Sequence, residues 1–210
     1  MRGKFIVLEG CEGSGKSSVV AFLRQMLGGR SDIVFTREPG GTRVSEAIRD
    51  VLMDKGLKEM TPLTELFLFC AARAQHIEEL IRPTLESGDH VVCDRFEAST
   101  VAYQLHGRER IGLAPVFRML NFHATGGLTP DVVIYLDVEP EVGLRRKDGL
   151  ETRFDEENIE FHGRVRKGFL RQMAENVIGY SEWRPVYTTH LAEEQVRESV
   201  LGIIKEVLGI

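Results

Sequence analysis

Short apolar runs alternate along this chain with longer stretches in which apolar positions recur every three or four residues. The runs Phe5-Ile6-Val7-Leu8, Ile33-Val34-Phe35, His90-Val91-Val92-Cys93, Val132-Val133-Ile134-Tyr135-Leu136 and Val186-Tyr187-Thr188 read as strands. The stretches between them predict helices over 18–27, 44–55, 62–82, 98–104, 113–124, 140–146, 158–177 and 193–208. Thr61-Pro62 supplies an N-cap followed by proline at the first helical position, and Pro83 predicts a break or kink. Strand–helix alternation argues for an α/β fold built on a doubly wound, largely parallel sheet. In such folds ligands sit beyond the C-terminal ends of the strands. The distinctive polar motifs fall there, after Leu8, Phe35, Cys93 and Leu136. With no repeat, low-complexity segment or linker, residues 1–210 read as a single domain carrying one mobile charged loop.

Composition narrows the class. Hydrophobic residues make up 42% of the 210 and charged residues 28%, as in a soluble globular protein. No apolar run approaches a membrane span, and the chain enters its first strand almost at once, so neither a membrane anchor nor a signal peptide is expected. Cys11, Cys70 and Cys93 have neither metal-site nor disulfide-framework spacing, which points to a reducing cytoplasm. A net charge of −5 argues against a general nucleic-acid binder. Any polyanion must then be met by a local cluster of Arg and Lys.

The run Gly10-Cys11-Glu12-Gly13-Ser14-Gly15-Lys16-Ser17 fits G-x-x-x-x-G-K-[ST], the phosphate-binding P-loop, between a strand and a helix. Its glycines let the backbone wrap a phosphate, and the following helix N-terminus adds partial positive charge. Lys16 can reach β- and γ-phosphates, and the Ser17 hydroxyl can hold Mg²⁺. Asp94 ends a strand beside this loop, where a carboxylate can hold the same ion. Arg95 follows Asp94 where water-activating ATPases often place Glu, which favours transfer to an organic acceptor over hydrolysis. Arg37 stands in the Gly/Pro-shaped loop Arg37-Glu38-Pro39-Gly40-Gly41, placed to meet an anion. Phe69 and Arg73 share a helix face at i, i+4, as do Ser99 and Tyr103. A ring and a guanidinium side by side can stack on a base and bond its edge. The basic run Arg145-Arg146-Lys147, continuing to Arg153, reads as a lid at about 145–155 that brings Arg onto a transferring phosphate.

Together these motifs resemble the thymidylate kinases of the nucleoside monophosphate kinase group. The match is carried by the P-loop, Arg37 to Gly41, Phe69-Cys70-Ala71-Ala72-Arg73, Asp94-Arg95-Phe96, Ser99 to Gln104, Tyr135-Leu136-Asp137-Val138 with the lid, and Phe161-His162-Gly163-Arg164-Val165-Arg166 after it. The resemblance implies a three-layer P-loop kinase fold with a five-stranded parallel sheet and short lid. It implies ATP as donor, Mg²⁺, dTMP as acceptor, dTDP as product and a homodimer, without nucleic-acid or membrane partners. It places ATP on the P-loop from Gly10 to Ser18. It places dTMP against Glu12, Arg37, Phe69, Arg73, Arg95, Ser99, Thr100, Tyr103 and Gln104. Phe69 would stack on thymine, Arg73 bond its edge, Arg37 and Arg95 hold the phosphate, and Tyr103 crowd the 2′ position. Lys16, Arg95, Arg153 and Glu12 would carry catalysis, with Ser17 and Asp94 at the metal. Some members carry Arg after the P-loop acid; here Gly13 stands there, which points to the lid for the helper cation, with Arg153 the first candidate and Arg145, Arg146 and Lys147 the alternatives. Thr100 stands where some members place Asn, and Thr188-Thr189-His190 replaces the more usual acidic end of the last strand. A P-loop kinase for another acceptor and a non-catalytic nucleotide-binding module are the competing readings, while the absent N-K-x-D motif speaks against a signalling GTPase.

Overall fold

The structure is a computed structural model that describes residues 2–146, 154, 156–176 and 182–210. Its strands are β1 Phe5–Gly10, β2 Ile33–Arg37, β3 His90–Asp94, β4 Val132–Asp137 and β5 Trp183–Tyr187, and they form one sheet in the order β2-β3-β1-β4-β5. Every pairing is parallel, as the strand–helix alternation requires. The register sets Arg37 opposite Asp94, Leu8 opposite Asp94 and Gly10 opposite Leu136, so the polar strand ends collect along one edge.

Period-two alternation divides the core. Phe5 and Val7 face a cluster with Val91, Cys93, Val133 and Tyr135, covered by Phe161, Val165 and Phe169 of helix α8 Ile159–Glu175. Ile6 and Leu8 face the other way, against Leu23 of α1 Lys16–Leu27 and Val200 and Ile204 of α9 Glu193–Leu208. These side chains are almost wholly buried, each contributing about 1.5–3 kcal/mol by leaving water. On the β2 side lie α2 Arg43–Met53, α3 Pro62–His76 and α6 Ala114–Thr125. Leu66, Cys70, Val101, Leu105 and Phe117 join α3 and α6 to the chain after β3.

Side chains cap three helix starts, of which the sequence marked Thr61. The Thr42, Thr61 and Asn158 side chains accept from the N–H groups of Ser45, Thr64 and Phe161. Elsewhere the boundaries move. Helix α1 begins at Lys16, two residues early, so the end of the P-loop is already its first turn. The helix before Pro83 does not stop there: a π-helical segment Ile77–Ile81 leads into α4 Arg82–Glu86. Proline cannot donate to the preceding turn, and the wide π turn directly upstream lets the path continue. The segment expected over 98–104 is a short helix α5 Glu97–Thr100 followed by a π-helical stretch Val101–Gly107. Strand β5 starts three residues before the predicted Val186 and contains Pro185, tolerated because β5 is a sheet edge. Helix α7 Pro140–Arg146 follows β4 as expected. Most of the charged loop after it, including Lys147 and Arg153, lies outside the described residues.

Candidate active site

The P-loop leaves β1 at Gly10 and enters α1 at Lys16. Gly15 caps that helix with φ 92°, a left-handed conformation that favours glycine. No acidic side chain stands in the first turn to compete for its N–H groups. Gly13 has φ 67°, and a Cβ there would fall 1.9 Å from the Gly143 carbonyl oxygen of α7. Helix α7 therefore occupies the space that a side chain at Gly13 would need. Lys16 is 8% exposed, and burial, then Arg95, push its pKa down. Burial raises the Cys11 thiol to about 12, so it is no nucleophile at neutral pH. The Ser18 hydroxyl is turned to α9, bonding Glu193 and accepting from Arg197 Nε at 2.7 Å.

Two cavities open from this loop. The larger, about 600 Å³, runs over the P-loop toward Arg146, Leu191 and Val196. Arg146 donates to the Thr188 and Thr189 carbonyls at 3.0 Å, which ties α7 to the segment after β5. The smaller, about 200 Å³, is bounded by Phe69, Arg73, Tyr103 and Phe154. Both are lined by Glu12, Lys16, Ser17 and Arg95. All the residues expected on the acceptor side border the smaller cavity: Arg37, Ser99, Thr100 and Gln104 stand there with Glu12, Phe69, Arg73, Arg95 and Tyr103.

Their hydrogen bonds show how each is held. Arg73 is 1% exposed and donates from Nε to Glu38, from Nη1 to Asn121 and from Nη2 to Thr100, each at 2.9 Å. A guanidinium has five N–H groups, so two remain beyond these contacts. Gln104 donates to Glu65 at 2.8 Å, which fixes its amide. Arg37 pairs with Glu46 at 2.8 Å and is half exposed, able to exchange that partner for an anion. Arg95 has φ 69°, which turns it back over the Tyr103 ring at 4.9 Å, where it donates to Ser99 at 3.0 Å and Glu12 at 3.2 Å. Burial alone would lower Arg95, but Tyr103, Glu12 and Asp94 together raise it, so it keeps its charge. The Tyr103 hydroxyl donates to Glu12 at 2.6 Å. Burial would raise the Glu12 carboxyl, yet His162, Arg95 and Tyr103 bring it down to about 2.

Asp94 Oδ1 is buried without a hydrogen-bond partner among the described residues, beside Lys16. With the exposed Ser17 hydroxyl it forms a hard oxygen pair of the kind Mg²⁺ accepts. Among the described residues no group of three or more His, Cys, Asp or Glu side chains forms a cage.

Several site residues escaped the sequence reading. Glu9 is fully buried and accepts the Phe96 and Ser99 N–H groups and the Ser99 hydroxyl, which seats α5 on the end of β1. An acid inside an apolar strand was the available signal. Glu38 adjoins Arg37 in sequence but faces Arg73 and His76 instead. Arg49 donates to the Pro39 carbonyl and lines the smaller cavity. Phe154 packs on Phe69 and Tyr103, with centroids at 6.2 and 5.9 Å. No local pattern marks either of the last two. Asp137, quoted with its strand, accepts both Arg166 Nε at 2.8 Å and Nη2 at 2.9 Å, anchoring α8 to the end of β4.

Comparison with known proteins places this geometry. The thymidylate kinase family model matches residues 8–192. A thymidylate kinase of Nitratidesulfovibrio vulgaris (strain DP4) is 43% identical over 219 residues, covering 98% of this chain and 93% of its own. One of Enterococcus faecalis is 47% identical over 182 residues, covering 84% and 85%. The crystal structure of thymidylate kinase from Ehrlichia chaffeensis superposes with a TM-score of 0.76 at 28% identity, covering 97% of this chain and all of that one. A family model spanning most of the chain, and relatives well above 30% identity along it, agree with the two joined cavities: the chain belongs to the thymidylate kinase family.

Proposed function

We propose that this chain transfers the γ-phosphoryl group of ATP to the phosphate of dTMP, giving dTDP. The observation that carries this reading is the shared wall of the two cavities. Glu12, Lys16, Ser17 and Arg95 border both, so a donor on the P-loop and an acceptor against Phe69 and Arg73 would meet at one set of charges. The acceptor nucleophile is a phosphate oxygen with a second pKa of about 6, already ionised at neutral pH, so no strong base is needed. The task is to hold two polyanions together and stabilise the moving charge. Lys16 serves the donor phosphates, Arg37 and Arg95 the acceptor phosphate, Phe69 the base face and Arg73 its edge. Tyr103 crowds the sugar. Ser17 and Asp94 would hold Mg²⁺, which when bound supplies charge neutralisation on the phosphates. Arg153 on the lid is assigned the helper cation, because Gly13 leaves the P-loop without one.

Residues 1–210 are proposed to act as one domain with a lid at about 145–155, in the cytoplasm, as a homodimer. Three buried cysteines without disulfides suit a reducing compartment. The dimer rests on an apolar row on three adjoining helices: Val44 and Val51 of α2, Leu63 and Phe67 of α3, Met119 and Phe122 of α6, all at least 40% exposed. A panel of nucleoside monophosphates assayed with ATP and Mg²⁺ tests the reaction. The expected result is dTMP among the best acceptors; preference for another monophosphate, or ATP binding without turnover, overturns it.

A further inference from the structure

His162 lies in the first turn of α8 with a side chain 2% exposed. Its Nδ1 is 3.4 Å from Glu12 Oε2, close enough to help lower that carboxyl, yet among the described residues neither ring nitrogen has a partner in well-aligned hydrogen-bond geometry. A buried polar group without a partner is costly, and a leucine would fill comparable space without that cost. The contact is therefore informative about Glu12. Glu12 Oε2 already accepts from Tyr103, and Oε1 faces Arg95. Arg95 borders both cavities, so an acceptor phosphate would draw it off Glu12. The carboxylate would then stay buried beside Tyr103 with its nearest cation gone. Nδ1 of His162 needs only a small shift to take up that bond.

We propose that His162 is a positioning residue for Glu12: its Nδ1–H holds the carboxylate against Tyr103 while Arg95 engages the acceptor phosphate. The inference rests on the phosphoryl-transfer reading above. It makes α8 a support of the P-loop acid, alongside α7, whose Gly143 lies close to the Glu12 backbone carbonyl.

The test compares wild type with His162→Leu and His162→Gln in the full chain, following kcat, KM for dTMP, KM for ATP and thermal midpoint. Loss of a hydrogen bond to a charged group predicts roughly a 10-fold or larger fall in kcat/KM for dTMP in the Leu variant. KM for ATP should stay within about twofold, and the Gln variant, which keeps an N–H donor, should recover most of the loss. In a Glu12→Ala background, His162→Leu should cost little more, because residues acting as one unit are not additive. A Leu variant within about twofold of wild type overturns the inference, as does equal loss in Leu and Gln variants of unchanged stability, or full additivity with Glu12→Ala. Those results leave the activity reading intact. A wild-type chain that does not phosphorylate dTMP fails that reading and takes this inference with it.

Discussion

Arg73 shows why single contacts must be weighed by burial. Its pair with Glu38 is 1% and 4% exposed, whereas Arg171 and Glu175 form a pair more than half exposed on each side. Removing one partner of a buried pair strands the other charge, at about 3–5 kcal/mol, while an exposed pair contributes about 0.5 kcal/mol or less. Glu38→Ala should therefore lower the unfolding free energy by about 3 kcal/mol or more and raise KM for dTMP, while Glu175→Ala changes neither. Urea titration with dTMP kinetics checks this; equal effects of the two would sink the argument. Glu12 makes a pH prediction with a definite sign. Its carboxyl titrates near 2 in the fold against an ordinary 4.5, so its stabilisation is fully present above about pH 4.5 and lost as pH falls toward 2. The difference corresponds to on the order of 3 kcal/mol. Glu9 has the opposite sign, because burial pushes its carboxyl up. A comparison of wild type with Glu12→Gln isolates Glu12: the variant's urea midpoint should fall less steeply from pH 5 to 2. Parallel curves would refute this.

At the scale of elements, α7 and the P-loop approach each other backbone to backbone. A Cβ on Gly143 would meet the Glu12 carbonyl oxygen at 2.4 Å, and neither backbone can yield without moving α7 or the loop. A Cβ on Gly202 of α9 would meet nothing within 4 Å among the described residues. Gly143→Ala should cost about 1–3 kcal/mol and displace the P-loop acid, lowering kcat/KM at least 10-fold. Gly202→Ala should be neutral or stabilise by up to about 1 kcal/mol. Kinetics and thermal unfolding of both variants decide; an active, stable Gly143→Ala chain would show that α7 yields. The π-helical segments carry a related lesson. One precedes Pro83 and the other contains Tyr103 and Gln104. Both interrupt stretches whose periodicity reads as plain helix, because a single wide turn shifts the register by about one residue, too little to show in a short apolar pattern.

Across the whole molecule, the exposed row on α2, α3 and α6 predicts self-association. Phe67→Glu with Phe122→Glu should convert a dimer to monomer in light scattering, while a wild-type monomer at micromolar concentration would remove the proposal. The order of strands explains what could and could not be read in advance. The P-loop was legible because its work is done by consecutive backbone groups at a strand–helix junction. Phe69 with Arg73 was legible because i, i+4 spacing places them on one face whatever surrounds the helix. Glu38 opposite Arg73, Asn121 beside it and His162 behind Glu12 were not, since these partners lie 35, 48 and 150 residues apart in sequence. The chain by itself determined the alternating elements, the phosphate loop and the types of side chain that would face a nucleotide, because these depend on local periodicity and contiguous geometry. Only the tertiary structure decided which carboxylate holds which arginine, that Gly13 must be bare beneath α7, and that Asp94 stands with a carboxylate oxygen unpaired among the described residues. Those follow from inserting β3 between β2 and β1 and from burying charges together, where each must find a partner or keep an orbital free for a ligand.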